Sequence, residues 1–435
     1  MEYIFGEKGN RDMALKYDYY LFDFDGTVAD TGEGIRRSVA HSLEKLGYPA
    51  LDEATLSRFI GPPLHDSYVE FCGMDDGTAE AAIAAYRERY VDVGLYESRL
   101  YPGMAMLLRA LHRAGAWVAI ASAKPTFMLE RLARHFGIDR YLDAISGTGL
   151  ERHSADKRDL ILAALPEGAD LSRACMCGDR RFDIEAAAAL GMAGIGADYG
   201  YSLPGELAGA GAAEVFGSVS SMSEHLLGEK PRGLFISLEG SDGCGKSTQI
   251  ALLKEYLENR GFETVLTREP GGCPISERIR EVILSLDSKG MSDECEALLY
   301  AASRVEHVRE VIVPALNLGK IVICDRFLDS SIAYQACGRE LGEEFIRQIN
   351  APAIRLALPD RTLLLTVDRA QARKRMAQGA PLDRLELEKE DFFARVQAGY
   401  DALAQAEPDR IARIDASRSI EEVFESVKGA VDAIL

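Results

Sequence analysis

The chain has 435 residues and a formal net charge of −19, length for two to four domains at the usual ~100–200 residues each. Hydrophobic residues make up 47% and charged residues 27%, a globular mix that excludes disordered and collagen-like chains. The acidic balance argues against a nucleic-acid or anionic-membrane binder, since both need basic surfaces; anionic partners must be held at small local sites. No apolar run reaches the ~18–20 residues of a membrane span, and the stretches Ala116–Ala123 and Arg361–Val367 are strand-length. The opening residues, MEYIFGEKGNRDM, scatter charge and lack an apolar h-region, so no signal peptide is expected. The 8 cysteines show no metal-ligand pairs. Cys175 and Cys177 alternate faces poorly for one ion, so free thiols in a reducing cytoplasm are expected.

Residues 1–15 read as an extension. From Tyr17, YDYYLFDFDGTVADT is an apolar strand that runs into a Gly-containing turn and then a helix. Asp23 and Asp25 end that strand, and a spacing of two puts both carboxylates on one face of an extended chain. Gly26 permits the tight turn. Acids at the carboxyl end of a parallel strand lie where α/β sheets bind ligands; a capped strand–helix turn is the plain alternative. Helical stretches follow at Gly34–Lys45 and Ala79–Asp92, and Gly32–Leu100 reads as an inserted helical subdomain. Phe59–Leu64 reads as its loop toward the site, with a plain interhelical turn as the alternative. Alternation resumes with helix Met104–Ala114, strand Trp117–Ala121, helix Phe127–Phe136 and the buried strand Ala174–Cys177, the pattern of a parallel sheet with helices on both faces. Ser122 follows the second of these strands. Lys157 opens a helix. Asp179 and Asp183 follow the last strand and are expected at i, i+4 on one helix face.

In this order, these residues make the first half resemble the haloacid-dehalogenase-like phosphatases, in their phosphoglycolate phosphatase-like branch, over roughly Lys16–Leu227. The resemblance implies Asp23 as nucleophile, forming an aspartyl-phosphate, and Asp25 as general acid and then base. It implies Ser122 and Lys157 as holders of the phosphoryl oxygens. Mg²⁺ would bind Asp23, the carbonyl of Asp25 and Asp179, with Asp183 in support. The inserted helices would be the cap, and the substrate a small phosphomonoester, phosphoglycolate-like or a nucleoside monophosphate. A phosphate-binding regulator or scaffold with little turnover is the rival reading.

The break LLGEKPRG places a linker at 229–232, between a first domain over 16–228 and a second over 233–435. Strands are expected at Leu234–Leu238, Thr264–Thr267, Ile321–Cys324 and Thr362–Val367. Helices are expected at Lys246–Arg260, Glu294–Asn317, Gln371–Gln378 and Asp391–Gln405. The run Gly240-Ser241-Asp242-Gly243-Cys244-Gly245-Lys246-Ser247 satisfies the phosphate-loop pattern between a strand and a helix, the context that it needs. Backbone N–H groups there cradle phosphates, Lys246 reaches the β- and γ-phosphates, and Ser247 ligates Mg²⁺. Thr248 completes the expected ATP site, and Cys244 reads as a small filler.

TREPGG at Thr267–Gly272, DRF at Asp325–Phe327 and SSIAYQ at Ser330–Gln335 make the second half resemble thymidylate kinase. The resemblance implies ATP and dTMP as substrates. Asp242 would bind the deoxyribose hydroxyl, Tyr300 would stack on the base, and Arg304, Gln335 and Ser331 would read its edge. Arg268 and Arg326 would hold the acceptor phosphate, and Asp325 would support Mg²⁺. One family branch carries a loop arginine where this chain has Gly243, so the lid at 371–386 should supply the charge. Gln378 stands where lid-type enzymes commonly carry arginine; Arg373, Arg375 and Arg384 remain, and Arg375 is the expected catalytic arginine. A kinase for another nucleotide, such as dUMP, is the rival. The whole reads as an α/β, cytoplasmic, bifunctional enzyme of two doubly wound parallel-sheet domains, a HAD-like Rossmannoid domain with a helical cap and a P-loop kinase domain. No nucleic-acid or membrane partner is expected, and a homodimer through the kinase domain is suggested by the resemblance.

Overall fold

The structure, a computed structural model, describes residues 15–149, 156–228, 230–376 and 388–435. The expected extension therefore lies almost wholly outside the described residues. So do Gln378, Gly379, Asp383 and Arg384 of the expected lid. The chain divides in sequence into two compact units between Pro231 and Arg232.

In the first unit the strand β1 (Tyr19–Phe22) is apolar at every inward position, with Tyr20, Leu21 and Phe22 wholly buried. A strand covered on both faces needs such a continuous run. Next come β2 (Ala29–Asp30), β3 (Arg99–Leu100), β4 (Trp117–Pro125), β5 (Ala144–Thr148), β6 (Ala174–Gly178), β7 (Ala193–Ala197) and β8 (Glu214–Phe216). Six of them form one sheet in the order β5-β4-β1-β6-β7-β8, parallel throughout. The chain leaves β1 toward β4 and β5, then returns on the other flank to β6. The crevice at the carboxyl end of β1 is therefore the topological switch point.

β2 and β3 form a separate antiparallel pair, Ala29 opposite Leu100 and Asp30 opposite Arg99. That pair closes the neck of the inserted subdomain, whose helices are Gly32–Lys45, Glu53–Ser57, Leu64–Cys72 and Asp76–Tyr90. The inserted helices therefore lie between the two strands of this pair.

The second unit repeats the logic with β9 (Phe235–Glu239), β10 (Thr264–Arg268), β11 (Ile321–Asp325), β12 (Arg361–Thr366) and β13 (Ile411–Asp415). Their order is β10-β11-β9-β12-β13, again all parallel. β9 is central, and the helix Lys246–Asn259 starts from its carboxyl end. The helix expected over Glu294–Asn317 is not continuous. An α-helix over Asp293–His307 widens into a π-turn at Val308–Ile312 before a short helix, Val313–Asn317. Pro314 is the physical reason: it has no N–H for the ladder, and its ring crowds the preceding turn. No helix among the described residues is long and apolar enough to cross a membrane, and all eight cysteines are free.

Candidate active sites

In the first unit, Asp23 continues β1, its N–H donating to the carbonyl of Cys177 on β6 at 2.8 Å. Gly26 then turns the chain at φ +80°, and a Cβ there would lie 2.0 Å from Oδ2 of Asp179. Only glycine allows that approach. Carboxylate oxygens of Asp23, Asp179 and Asp183 lie within 4.8 Å of one another. The i, i+4 helical pairing expected for Asp179 and Asp183 is corrected here. The helix spans Arg181–Ala189 and its N-cap Arg180 is extended at φ −122°, ψ 154°. Asp179 therefore belongs to the strand end, and the turn, not a helix face, brings the two acids together.

Burial and the charges of Asp23 and Asp183 push the Asp179 carboxyl well above the usual range. Burial likewise raises Asp183, to about 6, against the pull of Lys157. Packing like charges this closely is costly unless a cation sits among them. Lys157 supplies one, donating to Asp23 Oδ1 at 2.8 Å and pairing with Asp183 Oδ1 at 2.6 Å. Its burial opposes the charge, but the Asp183 and Asp23 carboxylates outweigh it and hold the ammonium above its ordinary range. The remaining oxygen donors of the triad are hard ligands, the set that suits Mg²⁺.

Asp25 faces another way. Thr31 Oγ1 donates to its Oδ1 at 2.7 Å, and Lys124 Nζ lies 3.1 Å from its Oδ2. Its carboxylate is thus outside the acid triad, which leaves only its backbone carbonyl for the metal role expected of it. Ser122 is buried at the sheet edge, 2% exposed, and accepts from the Lys124 N–H at 3.4 Å. Sequence reasoning passed over Lys124 and Tyr90. The Lys124 ammonium also donates to the Tyr90 hydroxyl at 2.7 Å, joining the inserted helices to Asp25. A lysine just past a strand-end hydroxyl was the available signal; Tyr90, on a helix ~35 residues upstream, gave none.

In the second unit the loop after β9 carries the expected residues. Gly240 adopts φ +128°, where a Cβ would lie 2.2 Å from the carbonyl of Leu365. Lys246 folds back on the loop, donating to the carbonyls of Gly240 at 3.1 Å and Ser241 at 3.3 Å. A cavity of about 440 Å³ is lined by Gly243, Lys246, Ser247, Thr248, Arg268, Asp325, Arg326 and Arg375, among others. Asp325 Oδ1 is buried without a hydrogen-bond partner, and Ser247 faces the same cavity. An orphaned acidic oxygen beside a hydroxyl fits an oxygen-seeking cation. Arg375 Nη1 donates to the Cys244 carbonyl at 3.4 Å and its Nη2 to the Ala416 carbonyl at 3.1 Å. Arg373 pairs instead with Glu390.

A second, smaller compartment is lined by Asp242, Tyr300, Arg304, Arg326, Ser331, Tyr334 and Gln335. The two compartments share Asp242 and Arg326. Arg326 Nη2 donates to Asp242 Oδ1 at 2.6 Å. Burial would raise the Asp242 carboxyl, but Arg326 and Lys246 hold it below the usual range. Arg304 is buried and heavily committed: it donates to Glu269 Oε2 at 2.7 Å, to Asn350, to the Phe327 carbonyl at 3.1 Å and to Ser331 Oγ at 3.0 Å. Four of its five N–H groups are thereby used. Gln335 Nε2 donates to Glu296 at 3.0 Å, and the residue lines the compartment. Arg268 is half-exposed and reaches Glu277 Oε2 at 2.9 Å.

Glu239, wholly buried at the end of β9, was not foreseen. It accepts from the Phe327 N–H at 2.7 Å, from Ser330 Oγ and from the Tyr400 hydroxyl at 3.2 Å. Burial and the neighbouring Asp329 raise its carboxyl to about 7, against the pull of Ser330 and Arg326. It lies one residue past the expected strand Leu234–Leu238 and just before the phosphate-loop run, and the sequence assigns it no role.

The profile of the Thymidylate kinase family matches residues 238–427, and that of the Haloacid dehalogenase-like hydrolases matches residues 20–197. A thymidylate kinase of Pelotomaculum thermopropionicum is 48% identical over 205 residues, 47% of this chain and 95% of that protein. One from Clostridium novyi is 44% identical over 200 residues, 46% of this chain and 98% of that protein. Among solved structures, a predicted phosphatase from Clostridium acetobutylicum is 36% identical, covering 49% of this chain and 99% of that one, with a TM-score of 0.46.

Proposed function

We propose that this chain, which belongs through its C-terminal half to the thymidylate kinase family and carries a haloacid dehalogenase-like hydrolase domain before it, phosphorylates dTMP with ATP in the second unit and hydrolyses a phosphomonoester in the first. The observation that carries the kinase reading is the meeting of two compartments at the Asp242–Arg326 pair. The phosphate loop and Lys246 hold the ATP phosphates, and Arg326 with Arg268 holds the acceptor phosphate. Asp242 takes the sugar hydroxyl, Tyr300 stacks on the base, and the Gln335 oxygen reads its edge beside Arg304 and Ser331. An acceptor phosphate oxygen attacks the γ-phosphorus, the bond to the β–γ bridging oxygen breaks, and ADP leaves. Ser247 and Asp325 would hold Mg²⁺, which neutralises the phosphate charge. Arg375 adds charge at the same loop.

In the first unit a carboxylate oxygen of Asp23 bonds to phosphorus as the ester bond breaks, and Asp25 gives its proton to the departing oxygen. Asp25 then takes a proton from water, whose oxygen bonds to phosphorus and frees Asp23 and inorganic phosphate. Ser122 and Lys157 hold the phosphoryl oxygens. Asp23, Asp179 and Asp183, with the Asp25 carbonyl, would bind Mg²⁺, which lets one anion approach another.

Two assays on the full chain test the reading: phosphate release from a panel of monoesters with Mg²⁺, and phosphorylation of dTMP, dUMP, dCMP and GMP by ATP. A base-reading site leaves buried groups unpaired with the wrong base, so dTMP should exceed dCMP and GMP by ~10⁴–10⁵ in kcat/KM. Equal use of dCMP would remove the dTMP assignment, and a first unit without turnover would make it a regulatory module.

A further inference from the structure

Between the inserted helices and the edge of the first sheet lies a cavity of about 200 Å³. Asp25, Lys124 and Met128 line it from the sheet domain, and Phe59, Ile83 and Tyr86 from the inserted helices. Asp23, Ser122 and Lys157 are not part of its wall. It is therefore space beside the phosphoryl cradle, reached past the acid that protonates the departing oxygen. The two-carbon acid released from phosphoglycolate would leave most of that volume empty against apolar walls. Tyr86 and Tyr90 stack with centroids 4.9 Å apart, and both line the cavity. Such a wall gains most from a ring.

The charges are distributed unevenly. Lys124 is spent on Asp25 and Tyr90. Arg87, on the helix Asp76–Tyr90, is half-buried and lines the same cavity, and its guanidinium makes no hydrogen bond or ion pair with a described residue. A guanidinium with unused donors on an apolar cavity is set for an acceptor that the ligand brings. The inference rests on the reading of the first unit as a phosphomonoesterase and deepens it. We infer that its substrate is the phosphate ester of a ring-bearing alcohol that also carries a carboxylate or carbonyl acceptor, and that Arg87 selects that acceptor.

The test uses the full chain with Mg²⁺ and compares kcat/KM for phenyl phosphate, 4-carboxyphenyl phosphate, dUMP and phosphoglycolate. Wild type should favour at least one of the two acceptor-bearing ring esters over phenyl phosphate by ~10-fold or more, the scale of one charge-assisted hydrogen bond. Preference for dUMP marks a carbonyl acceptor and preference for the benzoate marks a carboxylate; either supports the inference. In Arg87→Ala that ratio should fall to near one, and Arg87→Lys should keep part of it. Phosphoglycolate as the best substrate, or an unchanged ratio in Arg87→Ala, would overturn the inference while leaving the phosphatase intact. Absence of turnover on every ester is the separate failure of the underlying reading, and it takes the inference with it.

Discussion

Arg326 reaches Asp242 across 2.6 Å, tying the end of β11 to the phosphate loop after β9. Arg326 does so from φ +71°, a left-handed conformation that costs a residue with a Cβ roughly 1–2 kcal/mol. Its N–H is held by the Leu238 carbonyl at 2.9 Å, and its guanidinium lies 5.3 Å from the Tyr334 ring centroid. Replacing it strips Asp242 of its 2.6 Å partner and, on the function proposed above, the acceptor phosphate of its cation. Arg326→Ala should lower kinase kcat/KM for dTMP by ~10²-fold, the upper scale of a lost charge-assisted hydrogen bond. Steady-state kinetics decide; a change under tenfold would move the acceptor phosphate elsewhere.

Arg375 and Arg373 sit two residues apart on one helix but meet different partners, the phosphate loop and Glu390 respectively. Arg375→Ala should reduce kcat at saturating ATP by ~10³-fold with little change in dTMP affinity, and Arg373→Ala should stay within a few-fold. Retention of more than about a tenth of wild-type turnover by Arg375→Ala, under ~1.4 kcal/mol of barrier, would transfer the role to another arginine.

Glu239 makes the second unit sensitive to pH. Its folded carboxyl is raised to about 7 from 4.5, so the folded state binds the proton more tightly than the unfolded chain does. The contribution is present below pH ~4.5 and is lost as pH rises toward 7, up to roughly 3 kcal/mol at ~1.4 kcal/mol per unit. Asp329 opposes ionisation and Arg326 favours it, while Tyr400 and Ser330 donate to the carboxylate. Denaturant titrations at pH 6 and pH 8 should therefore show a less stable second unit at the higher pH, and Glu239→Gln should flatten the difference. An equal slope in both proteins would assign the dependence to other groups.

Lys124 joins the inserted helices to the acid of the first site through Tyr90 and Asp25. Lys124→Met removes the cation from the half-buried Asp25 carboxylate and leaves it the Thr31 hydroxyl, so phosphatase kcat should fall by ~10²-fold. Tyr90→Phe removes only one bond to the ammonium, and a decrease of a few-fold is expected. If Tyr90→Phe costs as much as Lys124→Met, the tyrosine itself takes part in the reaction.

Both folds were legible because their central strands are uninterrupted apolar runs ending in Asp-Gly or Gly-rich turns. That is the pattern of a strand buried on both faces. The flanking strands were harder. β7 reads AGIGA, too small and too rich in glycine to stand out, and its place in the sheet comes from packing on β6. The acids of both sites could be read because they follow strand ends. Lys124, Tyr90, Arg87 and Glu239 could not, because their meaning depends on contacts between elements far apart in sequence. Arg304 shows the limit from the other side. The resemblance assigns it to the base edge, and only the fold shows how fully Glu269, Asn350, Phe327 and Ser331 occupy it.

Two phosphoryl-transfer sites that share no residue should be separable by single substitutions. The direct measurement is both activities, phosphate release from a monoester and ATP-dependent phosphorylation of dTMP, on the same preparations of wild type, Asp23→Asn and Lys246→Ala. Asp23→Asn should lose the hydrolase and keep the kinase near wild type, and Lys246→Ala should do the reverse. Loss of both activities from a folded single variant, or retention of hydrolysis in Asp23→Asn, would contradict this separation.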